Sequence, residues 1–279
     1  MSIAELHGKI SRTGINLHDK LEDLLTSDVF SAFKYSNSNN IFLEYINKSV
    51  NINGTTLQIK NIEKISFDFW PRLNSCEPDL LINIKSNIED ITILIEAKYL
   101  SGKSSEILSE DDLKIATTPK DQLAREYNDL INLDLKSKKY LIYITTHRFF
   151  PTENIKESNL EILSVLKKKS DNDIFWNNWF NLSSILLNTD LTKLYYSDNL
   201  IYEDLKKLLI RKGLKFFTGF RLKKNTLIYS DKVTEENNKR FKIKTNSMII
   251  GFYKIQKLLY DFNIKPIKHI SSFYEGEIK

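Results

Sequence analysis

Three side chains in this sequence have the types and the spacing to do chemistry together: Asp79, Glu96 and Lys98. Leu80 to Ile84 is one short apolar run and Ile91 to Ile95 a second, with turn-forming residues between them, so the stretch predicts a β-hairpin. Folding it about Asn87 and Ile88 sets Asp79 opposite Glu96. The alternation of a strand puts Lys98 on the same face and turns Ile95 and Ala97 away. Two carboxylates and an ammonium at the end of a buried strand are costly to desolvate unless the acids share a cation or pair with the lysine. Carboxylate oxygens suit Mg2+ or Mn2+, which bind substrate phosphate as well. A lysine beside such an ion orients an attacking water, helps to deprotonate it and stabilises the charge that builds up around phosphorus. The competing reading is an exposed hairpin with a Glu/Lys pair on its rim. The nearly unbroken apolar run Ile91 to Ile95 speaks for a buried strand instead.

Pro78-Asp79, an apolar strand and then Glu96-Ala97-Lys98 resemble the PD-(D/E)XK signature of the restriction-endonuclease-like nuclease superfamily. The resemblance implies Asp79, Glu96 and the carbonyl of Ala97 as metal ligands, with Lys98 as the catalytic lysine. It also implies one more acid from the first core helix and a glutamine on the helix after the Glu-x-Lys strand. Glu22 is the candidate for that acid, with a solvated helix edge as its alternative reading. Asp28 is the second choice and Glu44 a weaker one. Gln122 is the candidate glutamine, set to hold a metal-bound water or a phosphate. The family's best-known form has a tyrosine four residues after that glutamine. Here Tyr127 is five away and reads as core. Glu77, two residues before Asp79, is a further acid facing the same way, suited to supporting the ligands from behind.

The elements that must position these groups follow from periodicity. Leu17, Leu21, Leu24, Leu25, Phe30 and Phe33 recur at helical spacing, and a second helix follows at Ile41 to Ile46. Residues 50 to 59 alternate about Asn53-Gly54 and read as a small inserted hairpin. Ile65 to Trp70 is the first core strand, closed by Pro71. Thr118-Pro119 starts a helix with Thr118 as its cap, buried through Leu123, Tyr127, Leu130 and Ile131. Lys138 to Thr146 is a strand, and strand, helix, strand in succession predicts a parallel pair. His147 and Arg148 end it and read as structural. Leu160 to Lys169 reads as a helix, Ile174 to Phe180 as a strand, and Leu182 to Leu187 as another helix. Trp176 and Trp179 read as core.

Length and composition set the limits. At 279 residues with 41% hydrophobic content the chain can bury a full core. No apolar stretch approaches the ~20 residues needed to cross a bilayer, and residues 1 to 20 lack a signal-peptide core. A soluble protein of a reducing cytoplasm is expected, because the single cysteine, Cys76, has no internal partner and reads as a small apolar filler. The formal net charge is +5, yet residues 206 to 244 hold thirteen Lys or Arg against three acids, interleaved with aromatics. That is the footprint of nucleic-acid binding or of a solvated face. Lys103, Lys223, Lys224, Arg240 and Lys242 are the candidate phosphate contacts, and Met248 to Tyr260 reads as a closing helix.

The expectation is an α/β fold. Its restriction-endonuclease-like core runs α-β-β-β-α-β with a mixed central sheet flanked by helices, and a mainly helical basic C-terminal extension follows. The nuclease domain spans residues 1–190 and the extension 191–279. The expected activity is Mg2+- or Mn2+-dependent hydrolysis of DNA phosphodiester bonds, in the setting of a restriction or phage-defence system. A homodimer or a partner subunit would supply the second strand cut. A nuclease acting on RNA or structured nucleic acid is one alternative. A non-catalytic nucleic-acid-binding or assembly subunit that keeps the fold is the other.

Overall fold

The computed structural model describes residues 17–103, 118–133 and 136–216. The chain divides into two units, residues 1–216 and 217–279, and every described element belongs to the first. These elements are α1 (Leu17–Tyr35), α2 (Asn40–Asn47), β1 (Val50–Asn51), β2 (Ile62–Phe69), β3 (Leu80–Ser86), β4 (Ile91–Ala97), α3 (Gln122–Asn132), β5 (Lys138–Thr145), α4 (Thr152–Glu161), β6 (Ile174–Asn178), α5 (Trp179–Asn188) and α6 (Tyr196–Arg211). One mixed six-stranded sheet, ordered β1-β6-β5-β4-β3-β2, carries helices on both faces.

Burial explains which sequences became which strands. β3 and β4 are apolar on both sides because both sides are covered, whereas the edge strand β2 alternates and keeps much of its length in solvent. On one face Leu80, Ile82, Ile93, Ile95, Ile142 and Ile144 pack against α1, α2, α5 and α6. On the other Leu81, Leu94, Leu141 and Tyr143 pack against α3 and Ile155 of α4. β3 and β4 pair antiparallel from Leu80 opposite Ile95 to Ile84 opposite Ile91, the register that folding about Asn87 and Ile88 requires. β4, β5 and β6 are parallel neighbours, as their helical crossovers demand.

Several sequence expectations are corrected. The small hairpin about Asn53-Gly54 forms, with Gly54 at φ 78° and Val50 bridged antiparallel to Thr56, but it does not stand apart, because its first arm, β1, also joins the main sheet antiparallel to β6. The first core strand begins at Ile62 rather than Ile65, and Trp70 lies beyond its end. Asp121, not Thr118, caps α3, accepting from the Ala124 N–H at 3.0 Å. A side-chain acceptor there satisfies a donor that the first turn leaves orphaned. The helix expected over 160–169 starts at Thr152, ends at Glu161 and passes into a π-helical turn. Trp179 opens α5 instead of continuing β6, because Asn178 caps the helix by accepting from the Asn181 N–H at 2.8 Å. α6, assigned by sequence to the basic extension, buries Tyr202, Leu205 and Leu209 in the same core as Phe33 and Trp179. Lys223, Lys224, Arg240, Lys242 and the helix expected at 248–260 lie outside the described residues, as does the acidic stretch 106–112. Among the described residues no helix is long and apolar enough to cross a membrane.

Candidate active site

The C-terminal end of β4 delivers Glu96 and Lys98 into a buried cluster of acids. Glu96 Oε1 takes the Lys98 ammonium at 2.6 Å and also accepts from Gln122 Nε2 at the start of α3. The same ammonium reaches Glu22 Oε1 on α1 at 3.1 Å. Glu22 is therefore a buried member of the cluster and not a solvated helix edge. Its second oxygen accepts from the Tyr99 N–H at 2.9 Å and from the Ser101 hydroxyl. Asp79, at the mouth of β3, accepts from the Ala97 N–H at 2.8 Å through one oxygen and from Trp70 Nε1 at 3.3 Å through the other. Trp70 holds a left-handed backbone, φ 47°, uncommon for so bulky a residue, and its N–H bonds the Asp79 carbonyl at 3.0 Å. The indole is thus held against the carboxylate from both ends. Behind Lys98 its own carbonyl accepts from Trp179 Nε1 at 3.0 Å, and its N–H bonds the Ile144 carbonyl at 2.7 Å.

One acid of the cluster escaped the sequence reading. Glu126, one turn after Gln122 on α3, is 2% exposed, touches Glu96 and has an Oε2 with no hydrogen-bond partner. It stands four residues after Gln122, the place where the resembled family carries its tyrosine. The signal was available in that i, i+4 spacing, which puts two polar residues on the face that also buries Leu123 and Tyr127. Two carboxyl groups, those of Glu96 and Glu22, therefore bond one ammonium, and two more, those of Asp79 and Glu126, feel its charge. Burial raises Glu126 well above the ordinary carboxylate range, with the charges of Glu96 and Asp79 adding to it. Burial likewise raises Asp79, with Glu96 and Glu22 adding and Lys98 opposing. For Lys98, burial works against the charge, but Glu96, Glu22 and Asp79 outweigh it and hold the ammonium protonated.

An excess of buried negative charge and an orphaned carboxylate oxygen fit a hard divalent cation, since all the donors are oxygen. Asp79, Glu96, Glu126 and Glu22 are the side chains that would have to hold one. As arranged, however, Lys98 and Gln122 both occupy Glu96 Oε1, and no three Asp, Glu, His or Cys side chains among the described residues surround a common point as metal ligands.

Other candidates fall elsewhere. Asp28 lies beside Lys212, half-buried, and burial raises its carboxyl. Glu44 is exposed on α2. Glu77 is exposed and meets Arg72 at 3.6 Å. Cys76 is no apolar filler: its Sγ and N–H and the N–H and hydroxyl of Ser75 all converge on the Asp129 carboxylate of α3, which ties the loop before Asp79 to that helix. His147 bonds Thr145, and Arg148 lies 5.3 Å from the centre of the Phe180 ring. Lys206 and Lys207, counted in the basic region, pair with Glu203 and Asp204 just outside it.

Lys103, read as a phosphate contact, is instead a buried tie. Its ammonium donates to the Asn154 carbonyl and the Ser158 hydroxyl, each at 3.1 Å, and pairs with the α3 cap Asp121. Glu157 stands 3.6 Å away. Lys103→Ala is therefore expected to cost about 3–5 kcal/mol in chemical denaturation, the usual penalty for orphaning a buried charge. If the chain binds nucleic acid, the salt slope of that binding should stay unchanged by the substitution, whereas loss of a phosphate contact would lower it by nearly one.

No protein-family model matches the chain, and no curated protein matches it. Among solved structures it is similar to an Acinetobacter baumannii Cap4 SAVED/CARF-domain containing receptor with the cyclic trinucleotide 3'3'3'-cAAA, at 9% identity and a TM-score of 0.27. The similarity covers 73% of this chain and 44% of that one, so the chain spans less than half of the receptor's length. A likeness at that level carries no argument about fold or function.

Proposed function

We propose that the chain is a metal-dependent endonuclease of the PD-(D/E)XK kind, hydrolysing DNA phosphodiester bonds. The carrying observation is the buried meeting of Asp79, Glu96, Lys98 and Glu22 at the end of β4. The order α1, β2, β3, β4, α3, β5 and the position of Gln122 against Glu96 support it. A bound Mg2+ or Mn2+ would supply Lewis-acid polarisation of the phosphoryl oxygens and lower the pKa of a coordinated water. The chain's own part is to hold the lysine charged and fixed between Glu96 and Glu22, where it orients the water and stabilises developing negative charge. Trp70 and the Ala97 amide set the rotamer of Asp79. Gln122 sets that of Glu96.

The test is incubation of the purified protein with supercoiled DNA, linear DNA and RNA, each with Mg2+, Mn2+ or EDTA. Cleavage of DNA that EDTA abolishes is the expected result, with an RNA-only pattern redirecting the substrate. One observation favours a second reading, a non-catalytic nucleic-acid-binding subunit: Lys98 already neutralises Glu96, and no three metal ligands are gathered round one point among the described residues. Nucleic-acid binding without cleavage under any metal would select it. A place in a restriction or phage-defence system, as a dimer or with a partner subunit, remains part of the proposal and rests on the resemblance alone.

A further inference from the structure

The loop that leaves β5 beside the candidate site holds one side chain out of the protein while tying down its neighbours. Phe149 is 85% exposed. On its N-terminal side the His147 N–H and ring bond Thr145 Oγ1 at 3.1 and 2.9 Å, and the Arg148 guanidinium lies 5.3 Å from the Phe180 ring centre. On its C-terminal side Phe150 packs edge-on against Trp176, centres 5.7 Å apart, and its carbonyl accepts from the Thr152 N–H at 2.9 Å. Isolated exposed apolar residues are common on surfaces. Here, though, the residues on both sides are anchored, so the ring is presented in a set place.

That place follows the strand beside β4, at the same end of the sheet as Lys98. The Thr146 hydroxyl bonds the carbonyl of Tyr99, the residue after Lys98, at 3.0 Å. Phe149 follows Thr146 by three residues, at most about 11 Å of extended chain. Leu100, two residues past Lys98, is also exposed, at 56%. An exposed aromatic ring next in sequence to an arginine, at the end of the sheet that carries Lys98, matches an unstacked nucleobase and its phosphate. Aromatic faces bind bases by stacking with little regard to sequence.

Resting on the nucleic-acid reading of the site, we propose that Phe149, with Arg148 beside it, is a stacking platform for an unpaired nucleobase. Its ligand is a single-stranded or locally opened nucleic acid next to the bond presented to Lys98. The test is binding of fluorescein-labelled single-stranded DNA, single-stranded RNA and blunt duplex DNA to the full chain in EDTA, comparing wild type with Phe149→Ala, Phe149→Leu and Phe149→Trp. The alanine and leucine proteins should bind single strands at least ~5-fold more weakly, up to ~100-fold, with a smaller loss on duplex, and the tryptophan protein should keep wild-type affinity. An oligonucleotide carrying 2-aminopurine should lose fluorescence on binding wild type and the tryptophan protein, and keep it with the leucine protein. Leucine is close in apolarity, so a loss confined to alanine would mean general packing and overturn the proposal. Equal binding by all four proteins overturns it too, even with a change in self-association, which would mark a protein contact. If wild type binds no nucleic acid in EDTA, the platform falls, and the nuclease reading is judged separately by cleavage with Mg2+ or Mn2+.

Discussion

Lys98→Ala is expected to lower Mg2+-dependent cleavage of supercoiled DNA by about 100- to 10,000-fold, the range for removing a positioned proton-transfer or charge-stabilising group. It is one of the two largest effects anticipated, because Lys98 has two roles. It is the one ammonium bonded to Glu96 and Glu22 among the described residues, so its removal leaves buried acids without a counter-ion, at a cost of about 3–5 kcal/mol. Loss of activity alone could then reflect loss of the fold. Glu96→Gln separates the two: it keeps a hydrogen-bonding group for Lys98 while removing one of the clustered charges. Thermal unfolding should show it at least as stable as wild type, with cleavage lost to a similar degree. Undiminished cutting by either variant, measured as the rate of plasmid nicking and linearisation, would sink the assignment.

The other large effect is expected of Glu126→Gln, and its direction depends on pH. Burial and the neighbouring carboxylates hold this acid above its ordinary value of 4.5 in the folded protein. The stability it contributes is present below about pH 4.5 and drains away as pH rises toward the folded value, because the unfolded chain releases the proton first. The glutamine variant has nothing to titrate there. It should match wild type near pH 4 and exceed it at pH 8 by about 1–3 kcal/mol, comparable to relieving an unsatisfied buried polar group. For a unit of this size each kcal/mol is about 2–4 °C in Tm. Added Mg2+ should close that gap, since an ion that binds only the folded state stabilises it by mass action. Scanning calorimetry at both pH values, with and without Mg2+, decides the matter. A variant less stable than wild type at pH 8 without metal would show that Glu126 is ionised and structurally needed.

The hairpin was legible because its two runs are apolar and its turn is polar, so register, facing and the meeting of Asp79 with Glu96 follow from alternation alone. Glu22 and Gln122 entered through the resemblance, and their contacts with Lys98 and Glu96 are long-range facts that no local pattern encodes. Glu126 was missed for a related reason. An acid on a helix is ordinarily solvent-facing, and only its side-chain hydrogen bond with Glu96 across the gap, on β4, makes its burial sensible. Trp179 read as core and Trp70 as the end of the first core strand, whereas each uses its indole N–H on the site, one on the Lys98 carbonyl and the other on Asp79. The reading of Lys103 failed because a lysine count cannot tell a solvated ammonium from one already surrounded by Asp121, Asn154 and Ser158. The same failing inflated the basic region by Lys206 and Lys207.

The bond from Trp179 to the Lys98 carbonyl also bears on when the site comes into being during synthesis. Its partners are 81 residues apart, and β1 finds its sheet neighbour only when Phe175 and Trp176 have been made. At about 5–20 residues per second, ribosomes need roughly 4–16 s to add that length after Lys98. For that interval the nascent chain carries the Asp79, Glu96 and Lys98 hairpin without the indole behind it or the β1–β6 edge. Most of the other site contacts are long-range as well, so the clustered acids settle into place only after most of the unit exists.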